Sequence, residues 1–283
     1  MTDYKPDKIQ KLPCGSVIQH GRYNDRIYLI KTGKNVSPQL SFELIKLAKK
    51  NGYSKIFAKV PARIAKDFIN AGFVEEGSIS GLYNDREAGL FLGYFLDPQR
   101  KRETFSLEIQ KVMELARKKA KQKALFRDLP SNATLRKCNP DDAEEMSEVY
   151  KSVYQSYPFA IDDPEYIAET MRGNFTYFCI EVEEKIVALS SVEMFEKSNS
   201  VEMTDFATLC DYRGKGFAGR LLKTMESRTR KKRFKTAFTV ARAISPGINI
   251  TFAKSGYTFG GRLRNNTNIS GNIESMNIWY KKL

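Results

Sequence analysis

The chain has 283 residues, 41% of them hydrophobic and 28% charged, and a formal net charge of +14, enough apolar material for one large folded domain or two of ordinary size. No apolar run reaches the ~20 residues of a membrane-spanning helix, and the polar residues 1–5 carry no signal-like apolar region, so the cytoplasm is the expected location. Cys14, Cys138, Cys179 and Cys210 are widely scattered and His20 is the single histidine, which speaks against a disulfide framework, a metal site and a Ser-His-Asp hydrolase.

In chain order, the patterning predicts a helix over 38–51, a strand over 53–60, a helix over 62–71, a Gly72-Phe73 turn, and strands over 78–83 and 88–96. Phe105, Ile109, Val112, Met113 and Ala116 then recur at helical spacing within the charged stretch 100–123, which reads as a linking helix. Leu129-Pro-Ser-Asn132 breaks it. Beyond the break follow a strand over 134–137, helices over 141–154 and 164–172, and strands over 177–182, 186–195 and 200–209. A helix over 217–230, a strand over 234–241, a helix over 248–255 and strands over 258–263 and 275–280 complete the chain. Three regions are therefore expected: an N-terminal domain over 1–98, a linker over 99–131 and a C-terminal domain over 132–283.

The order of elements from 38 to 96 repeats that from 217 to 280. The earlier copy has Lys31-Thr-Gly-Lys-Asn35 where the later one has a glycine-rich turn, which predicts a degenerate, noncatalytic half. The alternative is an order that any two small α/β units share. The positive charge is densest at Arg228-Thr-Arg-Lys-Lys-Arg-Phe-Lys235 and next at Arg117-Lys-Lys-Ala-Lys-Gln-Lys123. Both runs close predicted helices, where cations complement the dipole, and no nucleic-acid motif accompanies them, so solvated helix ends are preferred over a nucleic-acid surface.

Between the strand over 200–209 and the helix that follows, the sequence reads Tyr212-Arg-Gly-Lys-Gly-Phe-Ala-Gly219. A strand ending in a Gly-rich turn at a helix start leaves backbone N–H groups aimed at one spot with the helix dipole behind them, which is a phosphate cradle. Gly214 and Gly219 have P-loop spacing, but Arg220 and Leu221 stand where that loop needs Lys and Ser/Thr. Gly214, Gly216 and Gly219 also spell the dinucleotide fingerprint, yet no acidic residue occurs between Glu226 and Glu274 to hold a ribose, and too little chain follows.

Arg213-x-x-Gly216-x-Ala218 resembles the Q/R-x-x-G-x-G/A signature of the GCN5-related N-acetyltransferase (GNAT) superfamily. The preceding Val201-Glu-Met-Thr-Asp-Phe-Ala-Thr-Leu-Cys-Asp-Tyr212 and the later Phe252-Ala-Lys-Ser-Gly-Tyr257 resemble its flanking patterns. The resemblance covers 132–283. It implies an α/β (α+β) GNAT fold with a mixed central sheet flanked by helices, preceded here by the degenerate half, and acetyl-coenzyme A as co-substrate. Cofactor contacts are implied for Phe206, Ala207, Thr208, Leu209, Arg213, Gly214, Lys215, Gly216, Phe217, Ala218, Gly219, Asn249 and Phe252. The family's tyrosine proton donor is replaced by Phe252, so no general acid is expected from that position.

Acetyl transfer to an amine needs a base, because a lysine-type ammonium with pKa about 10.4 is protonated at neutral pH. Glu202 aligns with the glutamate many relatives use. Asp205, three residues on, falls on the opposite face of a regular strand unless a bulge intervenes, and is the second candidate, as base or ammonium ligand. A solvated or ion-paired carboxylate is the plainer reading of each. Tyr154, Tyr157, Phe159 and Asp162 are candidate substrate contacts, with packing and helix capping as the alternative. Over its whole length the chain resembles the β-lysine N6-acetyltransferases, which implies a small diamino acid as acceptor amine. A polyamine, lysine or protein acetyltransferase, or a basic nucleic-acid-binding protein with a vestigial cofactor fold, are the competing readings.

Overall fold

The computed structural model describes residues 7–34, 36–122 and 128–283. The polar start 1–5, Asn35, Lys123 at the end of the second basic run, and linker residues 124–127 lie outside the described residues. The first part forms β1 (Lys8–Lys11), β2 (Val17–Gly21), β3 (Arg26–Lys31), α1 (Leu40–Asn51), β4 (Lys55–Pro61), α2 (Ala62–Asn70), β5 (Val74–Tyr83) and β6 (Glu87–Phe95). After the connecting α3 (Ser106–Ala120) come β7 (Ala133–Lys137), α4 (Ala143–Val153), α5 (Pro164–Arg172), β8 (Phe175–Val182), β9 (Lys185–Phe195) and β10 (Ser200–Thr208). Then follow α6 (Phe217–Lys231), β11 (Thr236–Arg242), α7 (Pro246–Lys254), β12 (Thr258–Ile269) and β13 (Asn272–Lys282). Strands β1 to β3 are additional to the predicted elements. β1 is exposed throughout, and β2 and β3 carry Gln19, His20 and Arg26 at buried positions, so neither has the alternation that marks a half-buried strand.

All thirteen strands share one sheet in the order β1-β2-β3-β4-β6-β5-β12-β13-β11-β10-β9-β8-β7. Outward from the β5–β12 junction the two sides run alike, each with one parallel pair, β3–β4 or β10–β11, joined through a helix. Helices α1 and α2 cover the outer face of the first side, α3, α6 and α7 that of the second, and α4 and α5 the opposite face of β8 to β10. The two basic runs begin in the last turns of α3 and α6, with Arg117, Lys118 and Lys119 in one and Arg228, Arg230 and Lys231 in the other.

The sheet is rolled rather than flat. Five strand spacings separate β4 from β11, which is about 24 Å in a flat sheet. Yet Lys59 Nζ of β4 lies 5.3 Å from the Phe238 ring of β11, and the Phe91 and Phe238 ring centroids are 6.5 Å apart. The inner faces thus close on a shared core containing Phe57, Phe91 and Leu82 from one side and Phe238, Leu263 and Ile278 from the other.

The bend sits where Gly77 of β5 pairs with Gly261 of β12. A Cβ on Gly261 would fall 2.3 Å from Gly77 Cα, and one on Gly77 would fall 2.7 Å from the Gly260 carbonyl, so side chains at this crossing would push the strands apart. Gly261 also has φ of +137°, which L side chains avoid. A buried ion pair rivets the same corner. Lys55 Nζ lies 2.7 Å from Glu76 and donates to the Arg264 carbonyl, while Glu76 accepts from the Arg264 amide, both at 2.7 Å. Burial pulls Lys55 down to about 8 against the opposing field of Glu76.

Gly261→Ala is expected to cost about 2–5 kcal/mol, the sum of a disfavoured backbone angle and an overpacked crossing. Thermal unfolding should register this as a clear drop in Tm, and an unchanged Tm would show that the crossing has slack.

Candidate active site

Strands β10 and β11 pair only at Ser200↔Thr236, Val201↔Ala237 and Glu202↔Phe238. Beyond Glu202 both continue, one held by β9 and the other by β13, so they part as a V. A cavity of about 820 Å³ fills the opening. Thr204, Asp205, Phe206 and Thr208 line one side, Thr239 to Arg242 the other, and the turn before α6 and the start of α7 its wider end.

A bulge shapes the β10 wall. Thr204 pairs with Ser191, but the next pair is Ala207 with Leu189, and Asp205 takes a left-handed φ of +54°. Regular alternation would turn Asp205 away from Glu202. The bulge instead brings its carboxylate to Ser191, whose neighbour two residues on, Glu193, lies directly across from Glu202. Three hydroxyls donate to this carboxylate: Ser191 at 2.5 Å, Tyr157 at 2.8 Å and Thr204 at 3.3 Å. Tyr150 and Tyr154 donate to the carbonyls of Asp205 and Phe206 at 3.1 and 2.5 Å. The strained bulge is thus clamped by the end of α4 and the chain that follows it.

At the wide end, Gly214 and Gly216 have φ of +77° and +83°, and a Cβ added to either would meet no protein atom within 4 Å. The first hydrogen bond of α6 from this turn is Arg220 N to Gly216 O at 3.2 Å, and among the described residues the amides of 214–219 have no protein acceptor. Unpaired amides at a helix start, beside open space, suit an anionic oxygen cluster.

The carboxylates behind the V are electrostatically stressed. Burial pushes Glu202 up to about 8, with Glu193 and Asp205 adding to the rise and Lys59 opposing it. Glu202 sits deep among protein atoms and is only partly exposed. Burial also raises Asp205, and its three hydroxyl donors offset part of that rise.

Of the residues expected from sequence, Asp205, Tyr154, Tyr157, Phe206, Thr208, Arg213, Gly214, Gly216, Phe217, Ala218 and Gly219 line this one cavity. Glu202 adjoins it at the point of the V. Others lie elsewhere. Ala207 is buried in the core under α4, and Leu209 packs against that core. Lys215 turns its ammonium onto the Tyr212 ring at 4.5 Å. Phe159 packs into the core beneath α4 and α5, and Asp162 is exposed outside the cavity.

Asn249 and Phe252 are corrections to the expected cofactor contacts. Asn249 donates to the carbonyls of Arg242 and Ser245 and accepts from Asn277 and Trp279, so its amide is fully used inside the protein. Phe252 is 0% exposed, wedged edge-on against Phe206 and Tyr257. Tyr212, at the head of the turn motif, also lines the cavity, and lining residues outside every motif include Arg242, Ile269 and Met276. Arg242 is held by Glu274 through two bonds of 2.9 and 2.6 Å. No local pattern marks them, because the fold alone carries them to the cavity.

A splayed parallel strand pair, a bulge on one arm and a free-amide turn at its mouth are the features of a GNAT-type acetyltransferase. Residues 143–248 match the Acetyltransferase (GNAT) family, and the chain belongs to this family as an N-acetyltransferase. It is 41% identical over 270 residues to the Beta-lysine N(6)-acetyltransferase of Methanococcus maripaludis, covering 94% of this chain and 96% of that protein. It is 34% identical to the Beta-lysine N(6)-acetyltransferase of Methanosarcina mazei, covering 81% and 91%, and 29% identical to N-acetyltransferase YodP of Bacillus subtilis, covering 95% and 96%.

Because Glu202 is about 8 in the folded protein and 4.5 as its ordinary value, the fold holds a proton there that the unfolded chain releases. Its contribution to stability is fully present below about 4.5 and is lost as pH rises through about 8. Glu202→Gln, which mimics the protonated form, should therefore raise Tm by about 2–4 °C at pH 9 and by less as pH falls toward 5. A gain independent of pH in thermal scans would sink this account.

Proposed function

We propose that the protein transfers an acetyl group from acetyl-coenzyme A directly to N6 of β-lysine. The observation that carries the chemistry is the V itself, with unpaired amides at its mouth and carboxylates at its point. The acceptor follows from relatives that match nearly the full length, the N-terminal half included.

The amides of 214–219 would hold the diphosphate of the co-substrate, since nothing in the protein competes for them and both glycines leave the approach open. The bound co-substrate supplies an activated acyl thioester. Glu202, with its affinity for protons matched to mildly alkaline pH, takes a proton from the acceptor's ammonium, directly or through water, and so frees the amine whose attack on the acyl carbon would break the thioester C–S bond and release coenzyme A as its thiolate, protonated from solvent. Asp205, fixed by Tyr157, Ser191 and Thr204, attracts and aligns the cationic amine. Tyr154 and Tyr157 form the wall the acceptor's alkyl chain lies against. Residues up to 98 act as a degenerate, noncatalytic copy of the strand-helix order, since no glycine-rich turn follows β3.

Thiol release should be fastest with β-lysine among β-lysine, α-lysine, spermidine and a basic peptide. No turnover of β-lysine would sink the acceptor assignment, and turnover of the peptide alone would replace it. Gly216→Val should weaken coenzyme A binding by about 100-fold in calorimetry, because its side chain fills the cradle and its φ is disfavoured. In wild type, kcat/KM should rise with pH along a limb centred near 8. Glu202→Gln should remove that limb and lower kcat by about 100-fold or more, with coenzyme A affinity retained. A surviving limb would move the base to Asp205.

A further inference from the structure

Lys59 projects from β4 into the inner core of the rolled sheet and is only 8% exposed. Its ammonium lies over two rings, 4.5 Å from the centroid of Phe195 and 5.3 Å from that of Phe238. Among the described residues, no carboxylate comes within the 4.0 Å of an ion pair. Lys55, four residues earlier on the same strand, is by contrast paired with Glu76 at 2.7 Å. A largely buried ammonium whose protein contacts are ring faces can take a direct anionic partner.

Opposite it stands the complementary imbalance. Glu202 and Glu193 face each other directly across β10 and β9, an arrangement that repels when both are ionised. Tyr28 and Tyr83 share the field of Lys59. Glu193, Glu202, Tyr28 and Tyr83 are each partly exposed. Burial pulls the Lys59 ammonium toward neutrality, but Tyr28, Glu202, Tyr83 and Glu193 outweigh it and hold the group above the ordinary lysine value. It stays charged. One ammonium beside two facing carboxyl groups is the mould of a group carrying a carboxylate and an ammonium together.

We propose that Lys59 and Glu193 read the zwitterionic end of the acceptor, Lys59 taking its carboxylate and Glu193 its second ammonium, while the reacting amine extends to Glu202 in the V. The inference rests on the acceptor reading given above and adds to it a specificity role for the N-terminal half. A polyamine, lacking a carboxylate, leaves the Lys59 ammonium unanswered. The substrate class is therefore diamino acids as opposed to diamines.

The test compares β-lysine with 1,4-diaminopentane, which is β-lysine without its carboxylate. Wild type should favour β-lysine by about 100-fold in kcat/KM, mainly through KM, as expected for a desolvated charge pair. Lys59→Met, which keeps the apolar stem, should collapse that preference to within about 5-fold by losing β-lysine alone, and Lys59→Arg should restore part of it. Glu193→Gln should instead weaken both acceptors, because both carry the second ammonium. Equal wild-type use of the two acceptors, or equal losses on both in Lys59→Met, overturns the inference while leaving the acceptor reading intact. No turnover of β-lysine by wild type overturns both. If Lys59→Met fails to bind coenzyme A as a folded protein, the wild-type comparison decides alone.

Discussion

The crossing of β5 over β12 at Gly77 and Gly261 is the contact on which the architecture depends. Two strands can approach this closely and bend this sharply only where neither carries a side chain. Without the bend, β4 and β11 would stand about five strand spacings apart and the aromatic core between them could not form. With it, the inner faces of the two sides meet, and Lys59 from one is carried to Glu193 and Glu202 from the other. The buried Lys55–Glu76 pair, satisfied further by the Arg264 backbone, sits at the same corner. Such a pair is a weak source of net stability, and its contacts join β4, β5 and β12 at one point.

A second constraint operates inside the C-terminal side. The V between β10 and β11 exposes strand edges that would ordinarily hydrogen-bond each other, and the bulge at Asp205 adds a disfavoured backbone angle. Both features persist because the surroundings over-determine them. Tyr150, Tyr154 and Tyr157 bind the carbonyls and the carboxylate of the bulge, while β9 and β13 hold the two arms. Strain of this kind collects where a site must be open and rigid together.

The electrostatics follow from that geometry. Burial raises both opposed carboxyl groups, Glu193 and Asp205 add to the rise at Glu202 and Asp205 to that at Glu193, and the Lys59 ammonium only partly relieves them. This raises the cost of ionising the recess in the folded protein. At the other end of the cavity the signs reverse, with unpaired amides awaiting an anion.

The sequence by itself determined the family and much of the element list. The turn at 212–219 is a local signal, since glycine spacing and a following amphipathic helix encode free amides within a dozen residues. Helix α5 was legible to its ends because Asp163 caps it and Pro164 opens it. Strands β1 to β3 were not, because β1 is exposed throughout and buried positions of β2 and β3 hold polar groups satisfied by partners far along the chain, as when Arg26 donates to Asn266 and Thr267. Only the tertiary structure decided that Asp205 turns to the same side as Glu202, that Asn249 is spent on the core, and that Lys59 belongs near the site at all. Each of these depends on contacts between segments remote in sequence, and no period or motif within one segment records where the sheet will fold over another.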